Sequence, residues 1–183
     1  MNSGRLLALE GLDGCGKSTQ VAALAAALRH AGHDVVVTRE PTDGAVGRRI
    51  RERARAGTRI SPEEELDRFV EDRRAHVADV IRPALESRRV VVTDRYYLSS
   101  VAYQGARGLD AEVILAESEA EFPVPDLAIL FEIEPALALE RVGARGGAPE
   151  PAFEQLEFLE RVAVNYRALN RGYIARIDVA GSE

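Results

Sequence analysis

The chain has 183 residues, of which 46% are hydrophobic and 30% charged, and its formal net charge is −6, a mixture that suits one domain with a sizeable core. The negative charge argues against a general nucleic-acid binder, and the single cysteine excludes an internal disulfide and a cysteine-based zinc site. No run approaches the roughly 18 apolar residues of a membrane span, and the N-terminus lacks the apolar core of a signal peptide, so we expect a cytoplasmic protein with no membrane partner.

Short apolar runs rich in β-branched residues alternate along the chain with longer helical stretches. Five of these runs predict strands, at residues 5–10, 34–38, 89–93, 126–133 and 175–179. Strands that alternate with helices favour a parallel sheet covered on both faces. We therefore expect an α/β fold of three layers, forming one domain over residues 1–183.

The helices carry capping and breaking signals of their own. The first helix is predicted over residues 17–30. Ser61 and Glu64 form a capping box that opens a long helix over residues 61–87. Pro83 is expected to kink that helix or to end its regular part.

Two later helices flank a segment rich in glycine and proline. One helix is predicted to begin near Pro135 and the other to span residues 153–171. The segment between them, at about residues 143–152, is either a surface loop or a lid that closes to exclude water.

The sequence motif richest in chemical meaning follows the first predicted strand. Residues 11–18 have the spacing G-x-x-x-x-G-K-[ST], between an apolar run and an alanine-rich helix, which is the context of a phosphate-binding loop. Lys17 would lie on the outer phosphates and the Ser18 hydroxyl could hold Mg²⁺. The alternative is a glycine-rich turn before an ordinary helix. The residues expected to bind the nucleoside triphosphate are Gly11, Leu12, Asp13, Gly14, Cys15, Gly16, Lys17, Ser18 and Thr19.

A second group of charged residues follows the third predicted strand. Asp94 and Arg95 stand at its carboxyl end, where open α/β sheets bind ligands. The Asp94 carboxylate could lie near Mg²⁺, and the planar guanidinium of Arg95 suits a second phosphate group. The alternative is a solvated ion pair that caps the strand.

An aromatic ring and a guanidinium share one face of the long helix. Phe69 and Arg73 are four residues apart, so both side chains point in the same direction. The ring could stack on a base while the arginine donates to a carbonyl on the base edge. The alternative is a core phenylalanine beside a surface arginine.

The remaining polar segments permit two interpretations each. Residues 99–104 offer hydroxyl, phenol and amide groups that could recognise a base edge or a sugar, or could cap a loop. Arg39 and Glu40 end the second strand, and the arginines after them suggest anion binding or an ordinary surface; they are Arg48, Arg49 and Arg51. The histidines lack the spacing of metal ligands and are expected to be solvated or capping residues: His30, His33 and His76.

Together these segments resemble the thymidylate kinase family over residues 5–179. The matching segments are residues 10–19, 38–41, Phe69 with Arg73, 94–96, 99–105, 125–127 and 139–141. The resemblance implies a P-loop kinase fold with a five-stranded parallel sheet and a short lid. It implies transfer of the γ-phosphate of ATP to dTMP, giving dTDP and ADP with Mg²⁺, in dTTP biosynthesis by a homodimer.

The resemblance also assigns roles to particular residues. It implies that Phe69 stacks on thymine, that Arg73 reaches its O4 atom and that Tyr103 disfavours a 2′-hydroxyl. Ser100 and Gln104 would contact the base edge. The rest of the implied substrate site consists of Glu40 and of the residues that hold the monophosphate, Arg39, Arg51 and Arg95. The implied catalytic residues are Lys17, Asp13 near the sugar 3′-hydroxyl, and Arg95; the implied metal-binding residues are Ser18 and Asp94.

The lid departs from the family pattern. Family members carry an Asp-Arg-Phe-Glu-like stretch there, whereas residues 150–154 lack that arginine. Stabilisation of the transferring phosphate is therefore expected from Arg141 and Arg145. Two alternatives stay open: a kinase of another nucleoside monophosphate, and a nucleotide-binding regulatory protein with weak turnover.

Overall fold

The computed structural model describes residues 4–57, 60–144 and 156–181, and its centre is a sheet of five parallel strands. The spatial order is β2-β3-β1-β4-β5. The strands are β1 (Arg5–Gly11), β2 (Val35–Arg39), β3 (Val90–Asp94), β4 (Leu127–Glu132) and β5 (Ile174–Asp178). All five predicted strands are confirmed, with each bound within one residue of the prediction.

Helices cover both faces of this sheet. Val91 and Val92 are neighbours in β3, their side chains point to opposite faces, and both are fully buried. A strand buried on both faces is typical of a parallel sheet between two helical layers, which confirms the predicted α/β class.

Eight α-helices lie around the sheet in the described part of the chain. The helix α1 packs on β1, β2 and β3, whereas α5 packs on β1 and against α8. The helices are α1 (Lys17–His30), α2 (Ala45–Ala56), α3 (Pro62–His76), α4 (Arg82–Glu86), α5 (Tyr97–Ala106), α6 (Ala111–Glu121), α7 (Pro135–Ala144) and α8 (Leu156–Ala168).

The long helix predicted over residues 61–87 is interrupted where Pro83 requires it. It consists of α3, a π-helical turn at Val77–Ile81, and α4. Pro83 has no N–H for a helical hydrogen bond, and the turn widens just before it, so that the Arg82 N–H donates to the Val77 carbonyl. The predicted break at Pro83 is confirmed.

Two helices were not predicted from the sequence. The polar segment 99–104 lies within α5, so its interpretation as the cap of a loop is wrong. The helix α6 follows Asp110, whose side chain accepts hydrogen bonds from the amides of Glu112 and Val113. That aspartate is an ordinary N-cap and could have indicated the helix.

The sheet order determines where a ligand site forms. The strands β1 and β3 are neighbours, and the chain leaves them toward opposite edges of the sheet. The loops after β1 and β3 therefore meet at a topological switch point, where open α/β sheets bind ligands. In the described ranges, no helix is both long enough and apolar enough to cross a membrane.

Candidate active site

The phosphate-binding loop lies between β1 and α1. Lys17 is buried, and its Nζ donates to the carbonyl oxygens of Gly11, at 3.0 Å, and of Leu12, at 2.7 Å. The N-cap of α1 is Gly16, which has a φ of 93° and provides no side-chain cap for the first amides of the helix. Those amides and the ammonium group form a helix terminus of the kind that binds anions.

Gly14 allows the loop to lie directly on α7. Its φ is 89°, and a Cβ atom at this position would stand 2.3 Å from the carbonyl oxygen of Ala138. No other residue fits there without movement of the backbone, so glycine is required by both its conformation and its packing.

Ser18 and Asp94 meet beside the loop. The Ser18 Oγ donates to Asp94 Oδ2 at 2.6 Å. Within the described ranges no cluster of three or more His, Cys, Asp or Glu side chains could hold a metal alone. Mg²⁺ at a phosphate site needs only one or two protein ligands, because phosphates and water complete its shell. The pair therefore fits the predicted metal site.

Arg95 spans the cleft from the end of β3 to the phosphate-binding loop. Its Nη2 lies 2.6 Å from Asp13 Oδ1, and its guanidinium carbon lies 5.1 Å from the centre of the Tyr103 ring. Arg95 has a φ of 71°, a left-handed conformation that costs about 1 kcal/mol outside glycine. A backbone hydrogen bond from its amide to the Leu9 carbonyl holds that conformation.

Asp13 and Arg95 stabilise each other's charge. The positive charges of Arg95 and Lys17, which face Asp13, hold its pKa well below its usual value. Burial alone would lower the pKa of Arg95, but the Asp13 carboxylate raises it well above its ordinary value. Both side chains are therefore ionised at neutral pH.

Glu10 is linked to Arg95 through Ser99, and it was not among the predicted site residues. It is fully buried at the end of β1, and its carboxylate accepts hydrogen bonds from the Tyr96 amide, at 2.8 Å, and from Ser99 Oγ, at 2.6 Å. The Ser99 Oγ in turn accepts from Arg95 Nη1 at 2.9 Å. Burial raises the pKa of Glu10 to about 7, although these hydrogen bonds and Arg95 favour its charged form.

Arg73 is almost completely buried and is oriented by an acidic partner. Its Nε and Nη2 lie 2.8 and 2.7 Å from Glu40 Oε2, and Nη2 also donates to Ser100 Oγ at 3.0 Å. The remaining nitrogen, Nη1, is buried and has no hydrogen-bond partner among the described residues. An unpaired buried donor is costly, so Nη1 is a candidate for ligand binding.

The expectation that His76 is solvated or capping is wrong. His76 is buried, its Nδ1 lies 2.9 Å from Glu40 Oε1, and its Nε2 lies 2.6 Å from Thr38 Oγ1. It holds the second oxygen of the carboxylate that orients Arg73. The sequence gives no spacing signal for this contact, because Glu40 and His76 come from different elements.

Gln104, like Arg73, has a buried polar atom without a hydrogen-bond partner among the described residues. Its Nε2 donates to Glu65 Oε2 at 2.9 Å, and Glu65 Oε1 accepts from Arg107 Nη1 at 2.7 Å. The amide oxygen of Gln104 is buried without a hydrogen-bond partner in the described part of the chain. Neither Glu65 nor Arg107 was among the predicted site residues.

Two predicted phosphate-binding arginines are held together by one carboxylate. Arg39 Nη2 and Arg51 Nη2 lie 2.7 and 2.9 Å from Asp43 Oδ1. Arg51 also donates to the Pro41 carbonyl at 2.6 Å. Their guanidinium groups therefore gather at the end of β2.

One cavity of about 530 Å³ collects most of the predicted residues. Predicted residues in its lining are Asp13, Gly14, Gly16, Lys17, Ser18, Arg39, Glu40, Arg51, Phe69, Arg73, Asp94, Arg95, Ser100, Tyr103 and Gln104. Gly11, Leu12 and Cys15 are buried outside that lining, and Thr19 is exposed. The structure thus unites two charged regions, the phosphate-binding loop and the arginines, in a single cleft.

Of the two predicted lid arginines, only Arg141 belongs to the described residues. Arg141 donates to the carbonyl oxygens of Val179, at 3.2 Å, and Gly181, at 3.0 Å, and it is absent from the cleft lining. The predicted lid begins with Gly143 and Ala144, which are the last residues of α7. The rest of the predicted lid, residues 145–152 including Arg145, lies outside the described residues. The catalytic roles of Arg141 and Arg145 stay predictions.

The switch-point cleft, the phosphate-binding loop and the facing arginines define a P-loop kinase fold. A family model described as thymidylate kinase matches residues 9–182, and the chain belongs to the thymidylate kinase family. It is 41% identical to a thymidylate kinase of Desulfotalea psychrophila, over 99% of this chain and 89% of that protein.

Two further relatives have the same family name. A thymidylate kinase of Akkermansia muciniphila is 45% identical over 98% of this chain and 86% of its own length. A probable thymidylate kinase of Archaeoglobus fulgidus is 46% identical over 86% of this chain and 78% of its own length.

Proposed function

We propose that this chain transfers the γ-phosphate of ATP to dTMP, giving dTDP and ADP. The observation that carries the proposal is a cavity with the phosphate-binding motif on one side and guanidinium groups on the other. A protein that only senses a triphosphate has no use for a second phosphate site, so the cleft favours a kinase over a regulatory protein. Family membership favours dTMP over another acceptor.

Two of the buried atoms without a hydrogen-bond partner in the described residues support a thymine site. Arg73 Nη1 is a donor and Gln104 Oε1 is an acceptor, and both side chains line the cleft. Thymine offers the complementary edge, with the O4 acceptor next to the N3–H donor. Cytosine offers a donor and an acceptor in the opposite order, which would leave like groups facing each other. Phe69, in the same lining, provides a face for the ring to stack on.

The arginines are suited to the monophosphate. Arg39, Arg51 and Arg95 would replace their present contacts with Asp43 and Ser99 by charge-assisted hydrogen bonds to phosphate. Tyr103 lies against the Arg95 guanidinium and would occupy the space of a 2′-hydroxyl, and Asp13 would approach the 3′-hydroxyl.

To catalyse this reaction, the site needs only to align the two phosphate groups and to neutralise their negative charge. The accepting phosphate oxygen is already anionic, so the site needs neither a covalent intermediate nor a general base. The Lys17 ammonium and the loop amides would hold the β- and γ-phosphates, while Arg95 would bring the acceptor into line. Mg²⁺, held by Ser18 and Asp94, would supply further positive charge on the transferring group. Arg141 and Arg145 are the candidates for additional charge from the lid side.

The family resemblance also implies an oligomeric state and a cellular location for the protein. We propose a homodimer in the cytoplasm, on the ground of the family resemblance and of the ATP and dTMP that the reaction consumes. Analytical ultracentrifugation of the purified chain tests the oligomeric state: a monomer at micromolar concentration contradicts the dimer.

A coupled assay of ADP formation tests the proposed function. With Mg²⁺ and ATP, we expect turnover with dTMP and much less with dCMP, dGMP and UMP. Arg95→Ala should abolish transfer and leave ATP binding nearly intact, whereas Arg89→Ala, at the amino end of β3, should behave like the wild type. Turnover with dGMP alone would refute the choice of acceptor, and equal loss of ATP binding in Arg95→Ala would refute the role of Arg95.

A further inference from the structure

Glu65 determines which end of the Gln104 amide faces the cleft. Glu65 is 8% exposed and lies in the first turn of α3, and one of its oxygens accepts from Gln104 Nε2. A carboxylate only accepts hydrogen bonds, so the amide must present its NH₂ group to Glu65. The Gln104 oxygen is then left on the other side, buried and without a partner among the described residues.

Arg107 fixes Glu65 in turn. Its Nη1 donates to the second oxygen of Glu65 at 2.7 Å, and its Nη2 donates to the Ile60 carbonyl at 3.1 Å. The carboxylate is therefore tied to the start of α3 and cannot rotate away from Gln104. Three side chains from α3, α5 and the turn after α5 form one ordered chain of hydrogen bonds.

We propose that Glu65, anchored by Arg107, is a positioning residue that makes the site select a base with an N–H donor beside its carbonyl. The inference rests on the proposed function, because it deepens the account of how the same cleft recognises its acceptor. Glu65 touches no ligand and acts through the orientation of Gln104. A glutamine at position 65 could donate as well as accept, so the Gln104 amide could turn over and present its NH₂ group to the base.

The test compares the binding of dTMP with that of dCMP, which presents an N3 acceptor where dTMP presents an N3–H donor. Titration calorimetry on the purified chain measures both affinities without any dependence on turnover. We expect the wild type to bind dTMP at least tenfold more tightly than dCMP, because the contact of N3 with the buried Gln104 oxygen alone accounts for about that factor. In Glu65→Gln the ratio of the two affinities should fall about tenfold, while Glu63→Gln, in the same turn but exposed, should keep the wild-type ratio.

Two further variants separate positioning from a structural role. Glu65→Gln should not change the ratio further in a Gln104→Met background, because the amide on which Glu65 acts is absent there. Arg107→Gln should lower the ratio partly, and it serves as the test if Glu65→Gln does not fold.

Separate outcomes contradict the inference and the proposed function. An unchanged ratio in folded Glu65→Gln overturns the inference and leaves the function intact, as does a further loss in the Gln104→Met background. Binding of dTMP to the wild type without ADP formation overturns the function and leaves the inference testable. Absence of dTMP binding to the wild type overturns both.

Discussion

Glu10 makes the stability of the fold depend on pH in a way that one substitution can isolate. Its pKa is raised from 4.5 to about 7 in the folded chain, with burial as the main cause. Between these values the folded state keeps a proton that the unfolded state has lost. The free energy of unfolding that this group contributes therefore falls as the pH rises from about 4 to about 8.

The size of this effect follows from the shift. About 2.5 pKa units correspond to roughly 3 kcal/mol between the two ends of that range, at about 1.4 kcal/mol per unit. Glu10→Gln keeps the acceptor for the Tyr96 amide and removes the titration. We therefore expect the stability of the variant relative to the wild type to rise by about 3 kcal/mol from pH 4 to pH 8.

Urea unfolding at a series of pH values measures this difference directly. Other titrating groups cancel between the two proteins, since only residue 10 differs. The exposed Glu117, changed to Gln, is the control and should give parallel curves. Parallel curves for Glu10→Gln as well would refute the reasoning, because they would mean that the buried carboxyl titrates as it does in the unfolded chain.

Two further predictions concern the loop and the arginines. Gly14→Ala should lower the free energy of unfolding by about 2 kcal/mol, because a Cβ atom would stand 2.3 Å from the Ala138 carbonyl oxygen at a left-handed φ. Urea unfolding measures this change, with Gly172→Ala as the control, because Gly172 has open space around it. Equal effects of the two substitutions would contradict the packing argument. Arg51→Ala should raise KM for dTMP about tenfold or more, because a charge-assisted hydrogen bond to the phosphate is lost. Arg49 is exposed, so Arg49→Ala should leave KM unchanged in the same coupled assay. An unchanged KM in Arg51→Ala would show that Arg51 does not bind the phosphate.

The sheet was predictable because its signals are local. Five apolar runs gave the five strands, and the capping box and Pro83 gave the start and the break of the helix after α2. The helix α5 escaped prediction because most of its residues are buried, polar and apolar alike, so no polar face alternates with an apolar stripe. The helix α6 has a clear N-cap at Asp110, but its large apolar residues, Val113, Ile114 and Leu115, are consecutive and therefore do not form the stripe of an amphipathic helix.

Most cleft residues were predictable, whereas the acidic residues that support them were not, apart from Glu40, and one physical reason explains the difference. An acidic chain builds a site for anions by placing carboxylates beneath the cations and amides of the cleft: Glu40 under Arg73, Glu65 under Gln104, and Glu10 under Ser99 and Arg95. Each support pairs residues far apart in sequence, so no spacing marks it, and in the sequence it looks like any charged residue. Only Glu10, which interrupts the buried end of a strand, carries a local signal. A buried carboxylate next to a cleft cation orients that cation at the cost of part of its charge, and phosphate must then displace or share the partner. The orientation of the cleft side chains thus depends on carboxylates that lie behind them.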